Sequence, residues 1–114
     1  MADCVFCRIA NKDIPSNIVY EDDQCVAFHD LHPQAPVHVL IIPRKHSDNV
    51  LACGAEDETL LGHLQRVACE VARQLNVAES GIRIVVNANR DGGQSVDHLH
   101  LHLLGGRQMT WPPG

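Results

Sequence analysis

Hydrophobic and polar positions alternate most regularly near the C-terminus, where His98-Leu99-His100-Leu101-His102-Leu103-Leu104 interleaves imidazole and aliphatic side chains. A period of two is that of a strand with two unlike faces. Such a strand turns Leu99, Leu101 and Leu103 into a core. It leaves His98, His100 and His102 on the other face, about 7 Å apart at ~3.3 Å of rise per residue. Upstream, Ile82–Val86 reads as a buried strand after a turn at Gly81, followed by the polar, glycine-bearing loop Asn87–Ser95. The one long helical signal runs from Asp57 to about Asn76. There Leu60, Leu61, Leu64, Val67, Ala68, Val71 and Leu75 recur at three- and four-residue steps. Acidic Glu56, Asp57 and Glu58 suit its N-terminal end, and Arg73 suits its C-terminal end. His63 reads as a helix-surface residue with no chemistry. The β-branched run Val37–Ile42, stopped by Pro43, is a further strand. Asn17–Glu21 and Gln24–His29 form a hairpin about an acidic turn. Residues 4 to about 12 form a short helix with Phe6 and Ile9 turned inward. The tail Gly105–Gly114 is irregular, and its Trp111 is expected to pack against something. The predicted fold is α+β: about five strands in a mainly antiparallel sheet, with one long helix and a short N-terminal one.

Composition narrows the classes. The 114 residues form one domain, 1–114, and 45% hydrophobic content marks an ordinary globular chain. Net charge is −5 with no run of lysines or arginines, so polymeric nucleic acid is not an expected partner. No apolar run approaches the ~20 residues that cross a bilayer. Met1-Ala2-Asp3-Cys4 lacks the basic start and apolar core of a secretory signal. A cytoplasmic location is expected. The five cysteines agree, with Cys25, Cys53 and Cys69 reading as reduced and inert.

Two features carry chemistry. Three imidazoles on one face of a strand are hard to explain as packing, and point to a metal site or to a nucleophilic or acid–base site. Cys4-Val5-Phe6-Cys7 has the spacing of a zinc knuckle or a redox pair. No strand precedes it, which disfavours the redox reading, and the metal reading needs two ligands from elsewhere.

The signature His98-Leu99-His100-Leu101-His102-Leu103-Leu104 resembles that of the histidine-triad (HIT) family. Gly92-Gly93-Gln94-Ser95 before it and Gly105-Gly106-Arg107-Gln108-Met109 after it resemble the Hint branch of nucleoside phosphoramidases. So do Ala27-Phe28-His29-Asp30 and Pro33–Pro43, and the likeness spans residues 4 to 114. It implies a HIT-like fold and a purine nucleoside phosphoramidase acting on adenosine 5′-monophosphoramidate-type substrates. His100 would be the nucleophile forming a nucleotidyl-imidazole, a role open to a neutral imidazole at pH 7. Its other nitrogen would be held by a backbone carbonyl. His102 would bond the α-phosphoryl oxygens, and His38 would support the pocket from a neighbouring strand. Asn87, Gly93, Gln94 and Ser95 would meet the phosphate, with Ser95 also handing a proton to the departing amine. Phe28, His29, Asp30 and Leu31 would form the nucleoside side, Asp30 accepting from ribose hydroxyls.

The resemblance also implies a homodimer paired through the long helix and adjoining strands, the tail with Trp111 reaching toward the partner's site. The cysteine pair occurs in a zinc-containing subset of the family. There the ligands would be Cys4, Cys7, His46 and His98, a structural zinc that closes a tetrahedron. Asp97 departs from the branch, which often carries an aromatic there, and a carboxylate beside the triad is able to alter histidine basicity, an effect the sequence leaves open. Alternative functions are a nucleotide-binding or scaffold protein with little catalysis, and dinucleoside polyphosphate hydrolysis or nucleotidyl transfer.

Overall fold

The computed structural model describes residues 4–114. Helix α1 (Val5–Ala10) buries Phe6, Cys7, Ile9 and Ala10. Strands β1 (Ile18–Glu21) and β2 (Cys25–His29) follow as an antiparallel hairpin. Asp22 closes its turn, Oδ1 accepting the backbone N–H of Gln24 and of Cys25 at 2.8 and 2.9 Å. Then come β3 (Val37–Pro43), the long helix α2 (Glu58–Gln74), β4 (Ile82–Val86), the one-turn helix α3 (Asn89–Gly92) and β5 (Leu101–Gly105). The strands lie in the order β1-β2-β3-β5-β4, and every neighbouring pair is antiparallel. The expected α+β architecture is therefore present. No helix among the described residues is long and apolar enough to cross a membrane.

Parity along the three central strands explains the sequence pattern. Cys25 and Ala27 of β2, Val39 and Ile41 of β3, and Leu101 and Leu103 of β5 share one face. There they pack on Leu64, Val67, Ala68 and Val71 of α2. Val26 and Phe28 of β2 and Leu40 and Ile42 of β3 share the other face, packed on Phe6, Ile9 and Ala10 of α1. The middles of strands β2 and β3 are apolar on both faces because helices cover both, whereas the leucine–histidine alternation runs into β5 and places His102 between Leu101 and Leu103. On the α1 face, His102 of β5 and His38 at the start of β3 put polar side chains where the rest of the sheet centre packs.

Four expectations need correction. The histidine stretch is not strand throughout: the ladder begins at Leu101, because the Leu99 N–H donates to the Ser47 carbonyl at 2.7 Å instead of to β3. Pro43 does not stop β3 but is its last residue, opposite Cys25, where it loses an N–H yet keeps a usable carbonyl. His63 is not a free surface residue. Its ring is mostly buried and its Nε2 lies 2.7 Å from Asp22 Oδ2, tying α2 to the β1–β2 turn. The Asp22 carboxyl lies well below the usual range: burial opposes ionisation, but the N–H groups of Gln24 and Cys25, His63 and Tyr20 overcome it. Trp111 is 81% exposed and is not packed into the core of the described residues.

Candidate functional site

Both nitrogens of each triad histidine can be assigned from what they face. His98 Nε2 lies 2.9 Å from the Pro43 carbonyl, which can only accept, so Nε2 carries the proton and Nδ1 the lone pair. His100 Nδ1 lies 2.7 Å from the His98 carbonyl, so the proton sits on Nδ1 and the lone pair on Nε2. His102 is set from further away. The Gln34 backbone N–H donates to His38 Nδ1 at 3.0 Å, which puts the His38 proton on Nε2. That proton is donated to His102 Nδ1 at 2.9 Å, leaving His102 Nε2 as an N–H donor. The relay is possible because His38 and His102 are diagonal neighbours on one face, Leu40 lying opposite His102 and Leu104 opposite His38.

Burial favours the neutral imidazole at His102, His38 and His98. His102 is pushed down to about 4, first by burial and then by the fields of His100 and His38. Burial lowers His38 as well, against the pull of Asp30. Burial likewise lowers His98, against its bond to Pro43. Asp97, a carboxylate close enough in sequence to bear on triad basicity, is exposed and lines the groove of Cys4, His46 and Asp48. It is not among the groups that shift His98 or His102.

The triad opens on a cavity of about 340 Å³, within the range of small-molecule sites. His100, His102, Ser95, Phe28, His29, Asp30 and Leu31 all line it. Asp30 turns Oδ1 to the His32 N–H at 2.8 Å, and its Oδ2 lies 3.5 Å from His38 Nε2. It is thus a turn cap as well as a wall residue. Other expected residues fall outside the lining. His38 stands behind His102. Asn87 and Gly93 flank α3, where Gly93 at φ 80° ends the helix in a left-handed conformation. The Gln94 side chain staples that loop: Oε1 accepts from the Asn89 N–H and from Asn49 Nδ2, and Nε2 donates to the carbonyls of Asp48 and Val96. The Gln94 backbone N–H is engaged as well, donating to the Asn89 carbonyl at 3.2 Å. The sequence reading missed Val5, Ile14, Pro15, Ser16, His32, Leu40 and Val96 in the wall. They come from five separate segments, and only the inward turn of Phe6 and Ile9 pointed to α1 at all.

Beside this cavity Cys4, Cys7, His46 and His98 bring four potential ligand atoms within 4.8 Å of one another. Cys4 Sγ lies 3.2 Å from His98 Nδ1, and Cys7 Sγ lies 3.4 Å from His46 Nδ1 and 3.6 Å from His98 Nδ1. The two Nδ1 atoms are 3.1 Å apart. A zinc tetrahedron with Zn–S ~2.3 Å and Zn–N ~2.0–2.1 Å has edges of about 3.3–3.8 Å, close to these separations. The tautomers fit too. His46 Nε2 faces Asp48 Oδ1 at 3.0 Å, so both Nδ1 atoms turn lone pairs inward. Each imidazole has an oxygen acceptor behind it, as metal-binding histidines do. The group could hold a metal ion.

An antiparallel sheet with three alternate histidines leading into one central strand, two at a cavity and one in a cysteine–histidine cluster, defines the class. A model of the HIT domain matches residues 11–109, and the chain belongs to the HIT family. It is 51% identical over 112 residues to a HIT-like protein of Synechococcus elongatus, covering 98% of this chain and 97% of that one. A HIT family hydrolase from Legionella pneumophila superposes with a TM-score of 0.96 at 49% identity, covering 98% of this chain and 100% of the other. A histidine triad protein from Clostridium difficile gives 0.94 at 41% identity, covering 96% of each chain.

The depressed His102 gives a pH prediction. Its folded value of about 4 lies below the ~6.5 of a free imidazole, so the unfolded chain binds the extra proton between those values. Stability is therefore full above about pH 6.5 and declines as pH falls toward 4. NMR titration of the His102 ring should show a midpoint below 5; a midpoint above 6 contradicts the assignment.

Proposed function

We propose that this protein is a purine nucleoside phosphoramidase, hydrolysing the P–N bond of adenosine 5′-monophosphoramidate-type substrates through His100. The carrying observation is the pair of fixed tautomers, a lone pair on His100 Nε2 beside an N–H on His102 Nε2. A phosphate ester needs both at once, a nucleophile for phosphorus and a donor for its oxygens. In the first step the His100 Nε2 lone pair forms a bond to the α-phosphorus while the P–N bond breaks. The departing nitrogen takes a proton from Ser95, which lines both the cavity and the adjoining groove of Cys4 and His46. In the second step water attacks the nucleotidyl-imidazole, gives a proton back, and the P–N bond to His100 breaks to release the nucleoside monophosphate. His102 holds the phosphoryl oxygens through both steps. Phe28 and Leu40 supply apolar contact for a base, and Asp30 a carboxylate for ribose hydroxyls.

The same reading extends to the metal and the assembly. The Cys4–Cys7–His46–His98 group is a structural zinc site: four protein donors fill a tetrahedron, so no position is left for substrate. Two copies form the working unit. The support is exposed apolar surface at Trp111 and at Val86 on the edge strand β4, surface a second copy would cover.

Replacing His100 with alanine should lower turnover by at least about a thousandfold while AMP still binds. Mass spectrometry of quenched wild-type enzyme should locate a nucleotidyl adduct on His100, and an active His100→Ala variant would sink the assignment. Ser95→Ala should slow substrates with basic amine leaving groups more than those with acidic ones, by about 10²-fold at the basic end. Equal slowing along the series would remove the proton-donor role. Sedimentation at micromolar concentration should give a dimer mass, and a monomer there would refute the paired assembly.

A further inference from the structure

The cysteine–histidine cluster and the cavity share a wall, helix α1. Cys4 caps the helix and Cys7 lies within its first turn, while Val5, Phe6 and Ile9 of the same helix line the cavity. Phe6 touches both sites. Its ring stands edge-on to His98 at 5.9 Å and to His100 at 5.2 Å, and meets Phe28 at 5.6 Å. Only 6% exposed, it has little room to move while the helix stays in place.

The two ends of α1 are held differently. Six residues are too few for a helix to persist on its own, so outside contacts must fix it. At the C-terminal end the Ala10 carbonyl accepts Arg44 Nη1 at 2.8 Å, and Ile9 and Ala10 pack into the sheet. At the N-terminal end the polar ties are the two sulfurs facing His98 and His46. A thiol is a weak donor, and two thiols facing two imidazole lone pairs make a far looser clasp than thiolates sharing a cation. The turn carrying Val5 and Phe6 is therefore the part of the cavity wall whose position depends on the cluster.

We propose that metal binding at the cluster and nucleotide binding in the cavity are energetically coupled through α1, with Phe6 as the positioning residue that links them. The inference rests on the nucleotide reading of the cavity given above. Because such coupling is reciprocal, each ligand raises the affinity for the other by the same factor. Nucleotide would then act as a lock on the metal, and loss of the metal would weaken the site before any catalytic residue changed.

The test uses zinc and AMP on the full chain. AMP affinity is measured by calorimetry on zinc-loaded protein and after removal of zinc by a chelator, with circular dichroism confirming a folded sheet. A second measurement keeps the protein loaded at the start: the free zinc concentration at half occupancy, set by a competing chelator, with and without saturating AMP. Both should show one factor, about 5- to 100-fold. In Phe6→Leu that factor should fall below about threefold. In Phe28→Leu, which changes the cavity from β2, AMP binding should weaken with the factor unchanged. Equal AMP affinity with and without zinc, or no effect of AMP on zinc retention, overturns the coupling alone. An undiminished factor in Phe6→Leu overturns the role of Phe6. If the zinc-loaded protein does not bind AMP, the nucleotide reading fails and this inference falls with it; less than half an equivalent of zinc after loading removes the metal site.

Discussion

The peptide carbonyl of His98 decides which nitrogen of His100 is nucleophilic. It accepts the Nδ1 proton at 2.7 Å and so leaves the lone pair on Nε2. Imidazole tautomers differ little in free energy in water, so a single fixed acceptor is enough to choose between them. The same residue supplies the neighbouring site, since its own ring gives Nε2 to the Pro43 carbonyl and Nδ1 to the cluster. One residue thus joins strand β3, the metal-type cluster and the nucleophile. Any movement of its backbone is felt at all three, which is why the chain leaves the sheet ladder here and is fastened instead through Leu99 to Ser47.

The sheet provides the stiffness that such a choice requires. A histidine at the cavity is only as well placed as the strand beneath it, and β5 lies between β3 and β4, paired on both sides. Leu101 and Leu103 are almost fully buried against α2. Every imidazole on the cavity face is therefore backed by a leucine one residue away that anchors the opposite face. Burial on that scale is worth about 1.5–3 kcal/mol per leucine, enough to hold the strand against thermal displacement. Burial also favours the neutral forms of His38 and His102, because it denies these imidazoles the solvent a cation needs.

Much of this was legible in the chain. The alternation of leucine and histidine gave the faces of β5, the three- and four-residue steps gave α2 to within two residues, and the acidic turn gave the β1–β2 hairpin. The four residues of the cluster were named through family resemblance, and the structure brings their ligand atoms together. What the chain did not show shares a physical cause. The start of β5, the continuation of β3 through Pro43 and the tie between His63 and Asp22 all depend on partners from other elements, 18 to 52 residues away. Local periodicity reports which face a residue takes. It does not report what lies opposite that face.

Tautomers are the sharpest case of that limit, and the chemistry turns on them. The His102 donor is set by a backbone N–H at Gln34, passed through His38, so a loop residue with no place in the cavity fixes a proton that faces it. His98 and His100, two positions apart in the segment that leads into β5, carry their protons on opposite nitrogens because one meets a carbonyl of β3 and the other a carbonyl of its own segment. Identical side chains in a regular repeat have thus been made chemically different: one turns a lone pair to the metal-type cluster, the next keeps a lone pair for attack, and the last offers a proton. The sequence repeats; the backbone acceptors around it do not, and those acceptors divide the work among the three histidines.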